Sequence, residues 1–215
     1  MLAAPSTTPP SEASDYQRIE DEVAAKGDFD SILNSLVRRM SAMHSLWLEA
    51  SNDMDATKTN HVERDGVLPI AFSLFHQANL QDITLVRLGG PQPVWNEEWA
   101  DRIRLGVPDH GKDRSVDEMM QQRIGNYEAF CEYQRTVFDT TETWLRSLEP
   151  ESLGELVLSR PLPELFARTF SARVADSDGL TRWDAIECWL FQHGIRHMGE
   201  LEHARALVGL GGMTF

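Results

Sequence analysis

A chain of 215 residues, 41% hydrophobic and 25% charged, falls within the size of one ordinary globular domain and can bury a core without covalent staples. Twenty Lys and Arg against 34 Asp and Glu give a net charge of −14, and a field of that sign repels phosphate backbones and anionic headgroups, so neither nucleic acid nor a membrane surface is an expected partner. Cys131 and Cys188 lie far apart without a CxxC, which excludes a disulfide framework and a cysteine-type zinc finger.

Residues 1–14, MLAAPSTTPPSEAS, are small, polar and proline-rich. They offer too little apolar surface to offset the entropy of ordering and are predicted to be a disordered tail, with residues 15–215 forming a single domain. The first residues lack the basic flank and apolar centre of an export signal, and no run approaches the ~18 to 20 apolar residues of a spanning helix, so a cytoplasmic protein is expected. From Asp28, a candidate cap, Ile32, Leu33, Leu36, Val37, Met40, Met43, Leu46 and Trp47 recur at three- and four-residue spacing, which predicts a helix over roughly 28–53. After a polar connection, Pro69 suits a first helical turn, and Ile70, Phe72, Leu74, Phe75, Leu80, Ile83 and Leu85 carry a second helix to about Leu88, stopped by Gly89-Gly90-Pro91.

Residues 89–114 hold Gly, Pro, Trp95 and Trp99 without a sustained period. This connection is longer than the usual ~4 to 6 residues, and such loops more often shape a site than merely join elements. Ser115-Val-Asp-Glu118 is a capping box, opening a third helix that Pro150 closes. A second crossover, 149–180, contains Pro161, Pro163 and Gly179 and room for a short helix near 163–170. Thr181-Arg-Trp-Asp184 is again a capping box, and the fourth helix runs to about Val208 before Gly209. Four long amphipathic segments without a βαβ rhythm predict an all-α four-helix bundle with long crossover connections.

The fourth helix reads Trp189-Leu-Phe-Gln-His193-Gly-Ile-Arg-His197-Met-Gly-Glu200-Leu-Glu-His203. At about 100° per residue, His197 lies about 40° from His193 and Glu200 about 20° on the other side, so the three share one stripe, which is also the apolar one. Two imidazoles one turn apart on a core-facing surface can bind one ion but need a third ligand. His76, among Leu74, Phe75 and Leu80 in the second helix, is the candidate. HExxH is absent, Glu-x-x-His occurs once where a di-iron bundle needs it twice, and no GxSxG or Walker motif appears. Cys188, five residues before His193 and about 140° away on a regular helix, is expected to stay off the histidine stripe as a buried thiol. His61, His110 and His203 read as solvated, and His44 as packed in the first helix or facing the same cavity. Trp47, Trp144 and Trp189 read as core; Trp95 and Trp99 either wall a pocket or cover one end of the bundle.

In this order and spacing, Phe75-His76-Gln-Ala-Asn, the crossover Leu88-Gly-Gly-Pro-Gln-Pro-Val-Trp95-Asn-Glu-Glu-Trp99-Ala-Asp-Arg, and the ending His193-Gly-Ile-Arg-His197-Met-Gly-Glu200-Leu resemble the DinB/YfiT-like superfamily over roughly residues 28–212. The resemblance implies a four-helix bundle, frequently a homodimer, with a divalent metal held in its cavity by three histidines; His76, His193 and His197 match those positions. Zinc, nickel or iron suits imidazole ligands. Characterised members of the superfamily include S-transferases that use mycothiol, bacillithiol or glutathione and a mycothiol-dependent maleylpyruvate isomerase. Phe191-Gln192 departs from the acidic residues more usual before this histidine. The expected function is a metal-dependent enzyme that transfers a low-molecular-weight thiol to a small electrophile. Glu200 is the candidate catalytic residue, moving a proton or anchoring the outer nitrogen of a ligand. The alternatives are a hydrolase or isomerase acting through a metal-activated water, and a non-catalytic metal- or ligand-binding stress protein.

Overall fold

A computed structural model of the chain describes residues 12–213, and side chains from residue 27 onward. The expected tail therefore lies outside the described residues as far as position 11, while its last three positions are already helical. Helix α1 spans Glu12–Asn52, so Asp28 sits inside the helix and does not cap it. Helix α2 spans Ile70–Arg87 with Pro69 as its N-cap. Helix α3 spans Tyr127–Arg146. Helix α4 covers residues 182–207 without a break, as an α-helical turn Arg182–Ile186, a π-helical turn Glu187–Phe191 and an α-helix Gln192–Leu207.

The architecture is predominantly helical, as composition and periodicity predict. Helix α1 presents Leu33, Leu36, Met40, Met43, Trp47 and Ala50, all buried, and this alternation of three- and four-residue steps draws a single stripe along one face. Helix α1 packs on α3 and α4, and α2 packs on the same two helices. Between them lie Leu74, Phe75 and Ala78 of α2, Phe130, Tyr133, Val137 and Phe138 of α3, and Ile186, Leu190, Met198 and Leu201 of α4. Helix α2 stops where expected, with the amides of Gly89 and Gly90 bonded to the carbonyls of Val86 and Leu85, a Schellman closure.

Three expectations are corrected. The third helix is not continuous from 115. The Ser115–Glu118 capping box is present but opens only Val116–Met119, after which the chain turns out and α3 starts afresh with Asn126 as its cap. The side chain of Gln122 accepts from the amide of Val107 and donates to its carbonyl, and Leu105 bridges Ile124, so non-local pairing interrupts what local pattern reads as helix. The second crossover contains a small antiparallel sheet, β1 Leu156–Ser159 with β2 Gly179–Thr181, in which Leu156 faces Thr181 and Ser159 faces Gly179. Between the strands the chain forms a 3-10 turn Glu164–Phe166 and a short helix Phe170–Val174, where one short helix is expected. Among the described residues, no helix is long and apolar enough to cross a membrane, and both cysteines are free.

Candidate metal centre

His76 projects from the middle of α2, and His193 and His197 project from α4. All three are buried, at 7–8% exposure. The Nε2 atoms of His193 and His76 are 3.3 Å apart, and those of His197 and His193 are 3.1 Å apart. Ligand atoms of the three rings lie within 4.8 Å of one another. Two nitrogens each ~2.0–2.1 Å from one tetrahedral ion stand about 3.3 Å apart, so this spacing suits a common cation.

The outer nitrogens explain why Nε2 points inward. His76 Nδ1–H donates to the carbonyl of His110 at 2.5 Å, and His197 Nδ1–H donates to Glu200 Oε2 at 2.6 Å. With their protons committed there, both rings turn a bare Nε2 lone pair to the centre. A single proton on His193 cannot satisfy both short contacts. Protonating a ring does not resolve the crowding either: burial holds His76 down to about 4 and His193 down to about 2, with neighbouring His197 lowering both further. Burial also lowers His197, while Glu200 opposes that shift. Three neutral, converging, solvent-poor lone pairs form a receptor for a divalent cation, and the residues present fit one.

Two local features build this geometry. The carbonyl of His110 is aimed by a tight loop in which Asp109 accepts from the Gly111 amide and pairs with Arg114. Gly111 has φ +75°, and a Cβ there would sit 2.6 Å from Phe72, which stacks on His76 at 5.2 Å between ring centroids. Only glycine meets both conditions. On the other side, a Cβ on Gly194 would lie 2.3 Å from Met43 Sδ, so this glycine lets α4 approach α1 and seats His193. The π-turn ends at Phe191, two residues before His193; such turns occur often at functional sites.

A cleft of about 290 Å³ opens beside His76 and His193, lined further by Leu80, Phe166, Cys188, Trp189 and Gln192. Cys188 therefore shares the cleft with His193, contrary to the angular expectation for a regular helix. The π-turn changes the offset, although Cys188 is not one of the grouped ligands, and burial pushes its thiol up to about 11. Trp189 is half-buried and walls the cleft, donating to Ser171 Oγ at 2.8 Å, where the sequence suggests core. Trp95 and Trp99 pack instead on Tyr133, with Trp95 also edge-on to Phe75. The Trp95 and Val94 amides are pinned by buried Asp82. Those two tryptophans cover the core away from the cleft.

His44 is not in the centre. It stacks on Phe138 at 4.1 Å, donates from Nδ1 to Glu142 at 2.9 Å, and lies 2.9 Å through Nε2 from Gln81 Nε2. His203 is exposed, and His61 is exposed beside Glu63. Glu200 meets His197 from behind, at the outer nitrogen, and does not line the cleft. The contribution that sequence reading misses is the backbone of His110, because a carbonyl leaves no signature in residue identity. The length of its loop was the one available signal.

The fold is similar to a crystal structure of a conserved protein from Enterococcus faecalis, with a TM-score of 0.64, covering 81% of this chain and 95% of that one at 16% identity. No family model matches the chain, and no curated protein matches it.

Proposed function

We propose that the chain is a cytoplasmic metal-dependent enzyme of the DinB-like kind, a four-helix bundle with two long crossovers. In this reading His76, His193 and His197 hold a divalent ion of zinc, nickel or iron beside a small-molecule cleft, and the reaction transfers a low-molecular-weight thiol to a small electrophile. The observation that carries it is the convergence of three imidazoles whose ligand atoms lie within 4.8 Å of one another, with His193 Nε2 3.3 Å from that of His76 and 3.1 Å from that of His197, next to an open cleft. A closed structural site would have four protein ligands, whereas three ligands leave a position for an exogenous group. Bound there, the ion supplies Lewis acidity that lowers the pKa of a thiol or water.

The remaining roles belong to the chain. His110 and Glu200 fix the outward nitrogens of His76 and His197; Glu200 acts through His197 and is a positioning residue. Leu80, Phe166 and Trp189 exclude water from the reacting side of the cleft. No Asp or Glu lines this cleft among the described residues, so no carboxylate stands ready as general base. That favours a nucleophile which ionises easily: a free thiol has a pKa near ~8.5, whereas bulk water lies near ~15.7. In transfer the thiol releases its proton to solvent, a sulfur–carbon bond forms, and the leaving group departs with its electron pair. A homodimer, and the absence of nucleic-acid and membrane partners, belong to the same proposal.

Metal analysis of the purified protein, with each of the three histidines replaced by alanine, tests the centre. Near-stoichiometric metal in the wild type and loss of most of it in every variant are expected; undiminished metal in all three would remove the site. Chlorodinitrobenzene with mycothiol, bacillithiol and glutathione then tests the chemistry. Metal-dependent turnover with at least one thiol is expected, and turnover that ignores chelation would refute thiol transfer at this centre.

A further inference from the structure

The cleft beside the histidines departs from the charge of the molecule around it. The whole chain carries 34 acidic and 20 basic residues, yet the lining of this cleft holds Arg87 from α2, Lys112 from the first crossover and Arg196 from α4, with no acidic residue. All three cations are exposed, and none pairs with a carboxylate among the described residues. Elsewhere several arginines are paired with carboxylates, Arg39 with Glu187, Arg114 with Asp109, Arg146 with Glu142 and Arg182 with Glu155, and what distinguishes this cleft is three unpaired cations gathered in one concavity. Three like charges drawn from three separate segments into one concavity repel one another, and a chain so rich in carboxylates places none between them.

The same lining also carries large apolar side chains left exposed. Leu165 is 74% exposed and Phe170 50% exposed, both on the crossover between β1 and β2, facing a cleft that also contains half-buried Trp189. Large apolar groups left in water beside a cationic rim describe an amphipathic ligand. A cavity of about 290 Å³ holds a small molecule and not a protein segment.

We infer that this cleft binds a small organic anion, a carboxylate or phosphate on an aromatic or branched aliphatic body, with Arg87, Lys112 and Arg196 receiving the anionic group and Leu165, Phe166, Phe170 and Trp189 receiving the body. The inference deepens the proposed function by naming the charge class of its substrate, and it rests on that reading only for the identity of the reacting end. Arginine forks receive planar oxyanions in two-point contacts, and the ammonium of Lys112 adds a point charge. The net charge of −14 on the chain as a whole opposes anion binding over the general surface and so sharpens selection for a cationic concavity.

Calorimetric titration of the full chain, both metal-loaded and after chelation, with phenylacetate, phenyl phosphate and the neutral phenylacetamide tests it. At low salt at least one anion is expected to bind ten-fold or more tightly than the amide, in the chelated protein as well, and to lose most of that advantage at high salt. Preference for phenylacetate assigns the head group as carboxylate; preference for phenyl phosphate assigns it as phosphate. The combined variant Arg87→Gln, Lys112→Gln, Arg196→Gln should bind anion and amide equally while retaining wild-type metal content. Equal binding of anions and amide by the wild type would overturn the inference, as would an anion preference that survives in the triple variant. An anion preference seen only with metal present would assign the head group to the ion and refute the role given to the three cations. Absence of thiol transfer alongside intact anion selection would sink the proposed reaction and leave this subsite standing.

Discussion

Two buried histidines of this chain, His44 and His76, differ in what their second nitrogen finds. His44 has Glu142 on Nδ1 and Gln81 beside Nε2, and Gln81 is itself tied to Gln77 and Thr141, so both nitrogens are used and the ring is a structural link between α1, α2 and α3. His76 has one partner and one inward lone pair. Replacing His44 by alanine should cost on the order of 2–3 kcal/mol, from the lost stacking and the broken buried network, and leave metal stoichiometry unchanged. Urea unfolding and metal analysis of the same preparation check both halves, and loss of metal would place His44 in the centre after all. Glu200→Ala removes no ligand but frees the outer nitrogen of His197. Metal affinity should fall on the order of 10–100-fold, the usual cost of losing such a partner, measured by competition with a chromophoric chelator. An unchanged affinity would show that this carboxylate, 53% exposed on its side chain, does not hold the ring in solution.

The four long helices are legible from sequence because each carries its apolar stripe at helical spacing, and the capping boxes at Ser115 and Thr181 form as written. His76, His193 and His197 are legible for a related reason: polar rings on stripes that otherwise hold Leu, Ile and Ala. What escapes the sequence is produced by contacts between distant segments. The interruption before α3 depends on Gln122 meeting Val107, the small sheet pairs residues on either side of a long excursion, and the π-turn inside α4 has no residue signature. Gly194 shows how such contacts set the site. Its missing Cβ leaves room for Met43, which is 1% exposed and has little space to swing away. Gly194→Ala should therefore destabilise by about 1–3 kcal/mol through overpacking and weaken metal binding by shifting His193. Met43→Ala in the same chain should recover the metal affinity while adding a cavity cost of its own. Urea denaturation and chelator competition on the single and double variants read the coupling, and purely additive effects would mean that α4 does not rest on α1 at this point.

Across the whole molecule, the buried histidines make stability depend on pH in a window that can be isolated. Unfolded, each ring titrates near ~6.5; folded, burial holds His76 down to about 4 and His193 down to about 2. Between those values the unfolded chain binds more protons than the folded one, so the stability these rings contribute is present above ~6.5 and is lost as pH falls toward their folded values. Glu142 works in a separate window. Hydrogen bonds from His44, Ser41 and Arg146 hold it down to about 2, so its contribution erodes only below about 4.5, as pH falls toward 2. Above pH ~5 the slope of the metal-free protein thus reports chiefly on the histidines. A cation at the centre binds neutral imidazoles, and the folded rings of His76 and His193 are already neutral above pH ~5, so its contribution stays nearly level across that window. At a hundredfold excess over Kd it contributes about 2.7 kcal/mol, which for a chain of this length raises Tm by roughly 5–10 °C. Thermal unfolding with and without chelator, from pH ~7.5 to ~5, should therefore give a falling Tm in both series, separated by a nearly constant gap. Replacing His76, His193 and His197 together by alanine should flatten the chelated series and abolish the gap between the two. A variant retaining the wild-type slope and gap would mean that neither the protons nor the ion act through these three rings.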